Sequence, residues 1–185
     1  MESSPKQSFY DSAPATGEGD KATAWVKPLP NTVKVSVDAT VFEDRGGVGF
    51  GLVDRDSDDL LIEARAIVDP HLINPMLAET MAIKKVLNWI DGTPWQRVMI
   101  KSNCLAVIQA IRCTTSMRSH FGRFVEDCRV FMQRLNNISL FFVKRSANTV
   151  AHKLARQSYI YSGRVFDRRS VPIKIKKCIN LDLIQ

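Results

Sequence analysis

The sequence has no Cys-x-x-Cys pair, no long apolar run and no internal repeat. Its four cysteines, Cys104, Cys113, Cys128 and Cys178, are scattered. That spacing argues against a zinc site and fits the reduced thiols of an intracellular protein, cytosolic or nuclear. Nothing approaches the ~18 consecutive apolar residues of a membrane span. The first two dozen residues are polar and carry both signs of charge, so neither a membrane segment nor a secretory leader is expected. Acids are in short supply: 19 Asp and Glu against 26 Lys and Arg leave a net charge of +7. Such an excess is compatible with an ordinary solvated surface and favours an acidic partner, nucleic acid first. Core material is not lacking. Of the 185 residues 45% are hydrophobic, enough for one domain with extensions and too much for wholesale disorder.

Residues 1–31 are rich in Ser, Pro, Gly and Ala and read as a flexible tail. Within it Trp25 and Val26, with Pro28 and Pro30, suggest an extended arm that docks before the first strand. Val33, Val35 and Val37 then alternate with polar residues, the signature of a strand with one buried face. Asp38 ends this alternation on the same side as Lys34 and Ser36. A carboxylate there is either a turn former or a ligand, depending on whether later acids converge on it. Gly46-Gly47 supplies a turn, and strands are expected over 48–53 and 60–68, completing an antiparallel meander. The period then changes. Asn74-Pro75 opens a helix over 76–90, which Asp91-Gly92-Thr93-Pro94 stops. A short strand over 97–101, helices over 105–111 and 121–135, an apolar strand over 138–143 and a helix over 148–161 follow. Residues 163–185 are basic, with Arg164, Arg168, Arg169, Lys174, Lys176 and Lys177. They read as an added edge strand or as a basic tail touching phosphates, a solvated tail being the plainer of the two.

Glu79 lies on the same helical stripe as Ile83, Val86 and Ile90. A carboxylate on a core-facing stripe is costly unless something pairs it. The helix N-terminus, a basic side chain or a site near Asp38 would each serve. Ser102 and Asn103 sit where a strand enters a helix and suit an N-cap, as does Asn148 at the head of the last helix. His152 follows Asn148 by one turn and flanks the stripe of Ala151, Leu154 and Ala155.

Taken together, Val37-Asp38-Ala39-Thr40, Gly47-Val48-Gly49, Ala78-Glu79, Ile100 to Cys104 and Arg145 to Ala155 resemble, in this order, the motifs of ribonuclease H. The likeness is nearest to the plant domains that resemble the ribonuclease H portion of non-LTR retrotransposon reverse transcriptases. It covers about residues 32–162. It implies an α/β fold with a mixed five-stranded sheet, its first three strands an antiparallel meander, flanked by helices. It also implies RNA–DNA hybrid endonuclease chemistry, a hydrolase reaction in which carboxylates hold two Mg²⁺ ions. On this likeness the four catalytic positions fall on Asp38, Glu79, Asn103 and His152, with Asp38, Glu79 and Asn103 as metal ligands. Two acids out of four imply a weakly held or absent Mg²⁺ and impaired cleavage. The mobile histidine of bacterial relatives falls on Arg145, which cannot shuttle protons near neutral pH but suits a phosphate. Thr40, Asn74, Ser102, Lys101, Lys144 and Arg145 are the implied nucleic-acid contacts. The implied partner is an RNA–DNA hybrid or RNA, and the chain is expected to be a monomer. A different use of the same fold is an inactive nucleic-acid or protein interaction module, for which Trp25, Trp89 and Trp95 offer apolar surface.

Overall fold

The valine alternation forms a long strand, β1 (Thr32–Phe42), whose odd-numbered side chains are buried on one face of a sheet. The computed structural model describes residues 22–182, and the earlier and later residues lie outside that description. A 3₁₀ turn (Glu43–Arg45) ends at Gly46, whose φ of 64° is the left-handed conformation that glycine adopts without penalty. Strands β2 (Gly47–Arg55) and β3 (Leu61–Asp69) complete the antiparallel meander. β3 starts at Leu61 because the preceding turn closes on itself. Asp56 accepts from the Leu60 amide, Leu60 accepts from the Asp56 amide, and Asp59 takes φ 63°.

Helix α1 (Pro75–Ile90) starts as expected, with Asn74 Oδ1 accepting from the Leu77 amide at 2.9 Å and Pro75 at its first position. β4 (Arg97–Ser102) lies parallel to β1, and β5 (Ile138–Phe142) lies parallel to β4. Between them run α2 (Leu105–Arg112) and α3 (His120–Arg134), the latter capped by Ser119. These three helices cover one sheet face over Val33, Val35, Val37, Phe50, Leu52 and Ile100.

The long final helix expected over 148–161 is broken into a 3₁₀ turn (Arg145–Asn148), α4 (Thr149–Arg156) and α5 (Ser158–Tyr161). α4 lies on the other sheet face, directly over Gly49 and Gly51. A Cβ on Gly51 would fall on the Ala151 carbonyl and the Ala155 amide; one on Gly49 would fall on the Ala155 carbonyl and the Ser158 hydroxyl. The bare face of β2 is therefore the seat of this helix.

The C-terminal stretch is folded through its described part. β6 (Arg164–Phe166) adds a sixth strand antiparallel to β3, so the sheet order is β5-β4-β1-β2-β3-β6. The five expected strands form as a mixed sheet, and the sixth comes from residues that also read as a tail. α6 (Ile173–Asp182) then packs Ile175 and Ile179 with Leu154, Val53 and Ala64 in a second core. Residues 22–31 run across the same face. Ala22 bridges to Val143, and Trp25 donates its Nε1–H to Asp59 at 2.8 Å. The Trp25 ring lies 4.0 Å from the Arg55 guanidinium carbon and 4.4 Å from the Lys34 ammonium.

Candidate functional site

Asp38 lies on the β1 face that α4 covers, and only 1% of it is exposed. Three elements bring side chains to it. α4, seated on the glycines of β2, places His152 Nδ1 2.8 Å from Asp38 Oδ2. α1 places Glu79 beside it, held by the backbone N–H of Ala39. The turn after β4 brings Asn103, whose side chain hydrogen-bonds Asp38 and lowers its pKa. The four residues expected at the catalytic positions are thus gathered in one place.

The arrangement differs from the sequence expectation at Asn148. It sits at the N-cap position of α4 but makes no side-chain cap bond. Its Nδ2 donates instead to the Val37 carbonyl at 2.9 Å and to Asn103 Oδ1 at 2.7 Å. Asn148 is 1% exposed and ties the last helix to β1 and to the end of β4. Sequence spacing reveals only its local capping potential, because both partners are more than forty residues away. Neither Ser102 nor Asn103 caps α2 as expected: the N-cap position is Cys104, with no side-chain cap bond, and the Ser102 hydroxyl accepts from the Cys104 amide at 3.2 Å in the turn before it.

Burial dominates the electrostatics. It raises the pKa of Asp38, against the opposing pull of His152, Arg145 and Asn103. Glu79 is pushed up to about 8, first by burial and then by the charge of Asp38. The pair therefore carries less negative charge near neutrality than two solvated carboxylates.

The residues fit a hard cation only in part. Asp38 Oδ1 and Glu79 Oε2 are buried without hydrogen-bond partners and would suit one ion. The other two positions do not complete a two-ion centre. Asn103 is uncharged and its Oδ1 is taken by Asn148. His152 turns its Nδ1 to Asp38 Oδ2. Among the described residues no three His, Cys, Asp or Glu side chains are placed together to hold a metal.

The expected nucleic-acid contacts divide by exposure. Lys144 and Arg145 are exposed at the head of the 3₁₀ turn, and the Arg145 charge reaches both Asp38 and Glu79. Asn74 is exposed, with its side-chain oxygen occupied in capping α1. Thr40 is half-buried, and its hydroxyl is a buried atom without a partner. Ser102 is fully buried. Lys101, expected to meet a phosphate, is instead 3% exposed, with its ammonium 4.2 Å over the Phe141 ring on the face that the Ala22–Trp25 arm crosses. Its place on the α4 face follows from the strand alternation, but the arm that covers it does not. Among the described residues no helix is long and apolar enough to cross a membrane.

Residues 36–158 match a family model described as reverse transcriptase-like. A search of curated proteins gives no match. Among solved structures the fold is similar to RNase H1 of the halophilic archaeon Halobacterium salinarum, at 15% identity, TM-score 0.62, 70% of this chain and 98% of that one. It is similar to LC11-RNase H1, isolated from compost, in a complex with an RNA/DNA hybrid, at 13% identity, TM-score 0.57, 68% of this chain and 94% of that one. It is also similar to the foamy viral protease-reverse transcriptase bound to an RNA/DNA hybrid, at 15% identity and TM-score 0.57, covering 81% of this chain and 24% of the viral one.

Proposed function

This chain belongs to the reverse transcriptase-like family, and on that premise we propose that it binds RNA–DNA hybrid at the Asp38 end of the sheet and cleaves it weakly or not at all. The observation that carries this reading is the hydrogen-bonded closure of the acidic site. Asn103 and His152 stand where the resemblance places two further carboxylates, and both spend polar atoms on neighbours in the chain. What remains for Mg²⁺ is Asp38 and Glu79, a pair that holds one ion weakly and cannot clamp both the attacking and the departing oxygen.

Binding asks less of the site. Lys144 and Arg145 are exposed cations beside it, placed for phosphates. Two of the similar structures hold an RNA/DNA hybrid, and the net charge of +7 suits such a ligand. Affinity should therefore fall steeply with salt.

The test is a hybrid-binding titration beside a cleavage gel with Mg²⁺ present. The intact protein should bind the hybrid, lose affinity on Lys144→Glu/Arg145→Glu, and leave it uncut. Asn103→Asp combined with His152→Asp should gain Mg²⁺-dependent cleavage. Robust cleavage by the unaltered protein that Asp38→Asn abolishes would overturn the loss of activity. A salt-independent or undetectable interaction would overturn the ligand.

A further inference from the structure

α4 and α6 meet in the second core through Leu154, Ile175 and Ile179. At the rim of that contact Lys153 of α4 places its Nζ 2.9 Å from Cys178 Sγ of α6. The thiol donates to the Lys174 carbonyl one turn earlier, at 3.1 Å, and the sulfur accepts from the ammonium. Lys153 is exposed and Cys178 is 6% exposed, so the pair opens to solvent at its amine end. Two nucleophilic side chains from different helices are thus in direct contact, and neither belongs to the acidic site.

The sheet keeps Cys178 apart from the other thiols. Cys104 and Cys128 pack into the first core, on the opposite sheet face, and Cys113 ends α2 on that same face. Cys128 is fully buried, and its sulfur lies against the Thr80 carbonyl. Cys113 is exposed, and its sulfur meets the Thr115 hydroxyl. An oxidised Cys178 therefore has an amine beside it and no second thiol to form a disulfide.

We propose that Lys153 and Cys178 are an oxidation site at which hydrogen peroxide joins α4 to α6 covalently. In the first step the sulfur attacks the peroxide. An S–O bond forms, the O–O bond breaks, and thiol plus peroxide become sulfenic acid plus water. In the second step the Lys153 ammonium gives up a proton to solvent and the neutral amine attacks the sulfenic sulfur. An S–N bond forms, the S–O bond breaks, and the hydroxide leaves as water with a proton from the nitrogen. Overall the neutral pair loses two hydrogens and one peroxide is reduced to two waters. A nucleophile already held at 2.9 Å outruns a second peroxide from bulk solution, which carries a sulfenic acid on to sulfinic acid. The link joins positions 25 apart in the chain and fixes α6 to the helix that carries His152. Thiol reductants attack the linked sulfur and release the amine, so the bond is reversible.

The test treats the full chain with hydrogen peroxide, digests it without reductant and reads the peptides by mass spectrometry. The peptides that carry Lys153 and Cys178 should appear as one linked species, two hydrogens lighter than their sum, and should separate in dithiothreitol. Lys153→Arg keeps the charge and the exposed position, but a guanidinium is no nucleophile. That variant should form no link and should carry Cys178 on to sulfinic acid. Closing the loop should raise the Tm of the treated chain by about 5 °C or more over the treated variant, a gain that dithiothreitol removes. Recovery of Cys178 in the unaltered protein as free thiol or sulfinic acid overturns the proposal. So does a link that survives Lys153→Arg, one that joins Cys178 to a different residue, or a linked chain whose Tm does not rise.

Discussion

Asp54 shows how much one buried carboxylate costs. It is fully buried on the sheet face under α1, beside Glu63 of β3, and neither of its oxygens has a hydrogen-bond partner of ordinary geometry. Burial, reinforced by the Glu63 charge, pushes its pKa from 3.8 to about 8. The folded chain therefore keeps a proton that the unfolded chain releases. Stability contributed this way is fully present below the unfolded pKa and lost as pH rises toward 8, by about 1.4 kcal/mol per pH unit inside that window. Asp54→Asn should be more stable than the unaltered protein at pH 8 and nearly equal to it at pH 4. Urea denaturation at both values checks this, and the difference between the two proteins cancels the parallel contribution of Glu79. At the same scale, Asn148→Ala removes donors to Val37 and Asn103 and leaves the Asn103 amide untethered. A loss of about 1–3 kcal/mol is expected in the same denaturation measurement.

At the scale of elements, the site is set by how closely α4 approaches β2. Gly49 and Gly51 allow that approach, and through it His152 reaches Asp38. Gly51→Ala places a methyl group against helix backbone, which cannot move as a side-chain tip can. The helix must lift, and the His152–Asp38 contact with it. A destabilisation of about 2 kcal/mol or more is expected in thermal unfolding, with a shift of the His152 ring resonances in NMR spectra. Gly49 and Gly51 stand two residues apart in the sequence, so a strand through them has a bare face. Which helix fills it is not legible there, because nothing local links residue 51 to residue 151.

At the scale of the molecule, the described termini meet at Arg55. Its guanidinium is 1% exposed, lies 2.9 Å from Asp182 Oδ2 in α6, and packs on Trp25 of the N-terminal arm. Both of these partners lie outside the stretch that matches the family model, residues 36–158. Removing residues 163–185 would strip α6 from Leu154, Val53 and Ala64 and take away the Asp182 carboxylate from a buried cation. A fall in Tm of about 10 °C or more is expected, or loss of soluble protein. Equal Tm values for the truncated and full chains would show that the extension adds nothing to the fold.

The sequence alone determined the period-two and period-3.6 stretches and their order. These follow from local chemistry, since side-chain alternation, caps and turn residues act within a few positions of one another. The tertiary structure decided what distance along the chain conceals. It broke the last helix, folded the basic stretch after residue 163 into a sixth strand and a helix, and covered Lys101 with an arm from the far end of the chain. It also turned Asn148 from a helix cap into a tether between β1 and Asn103. Each of these outcomes depends on burial and on a partner dozens of residues away, so a short window of the sequence offers the edge strand and the docking arm only as alternatives and is silent on the rest.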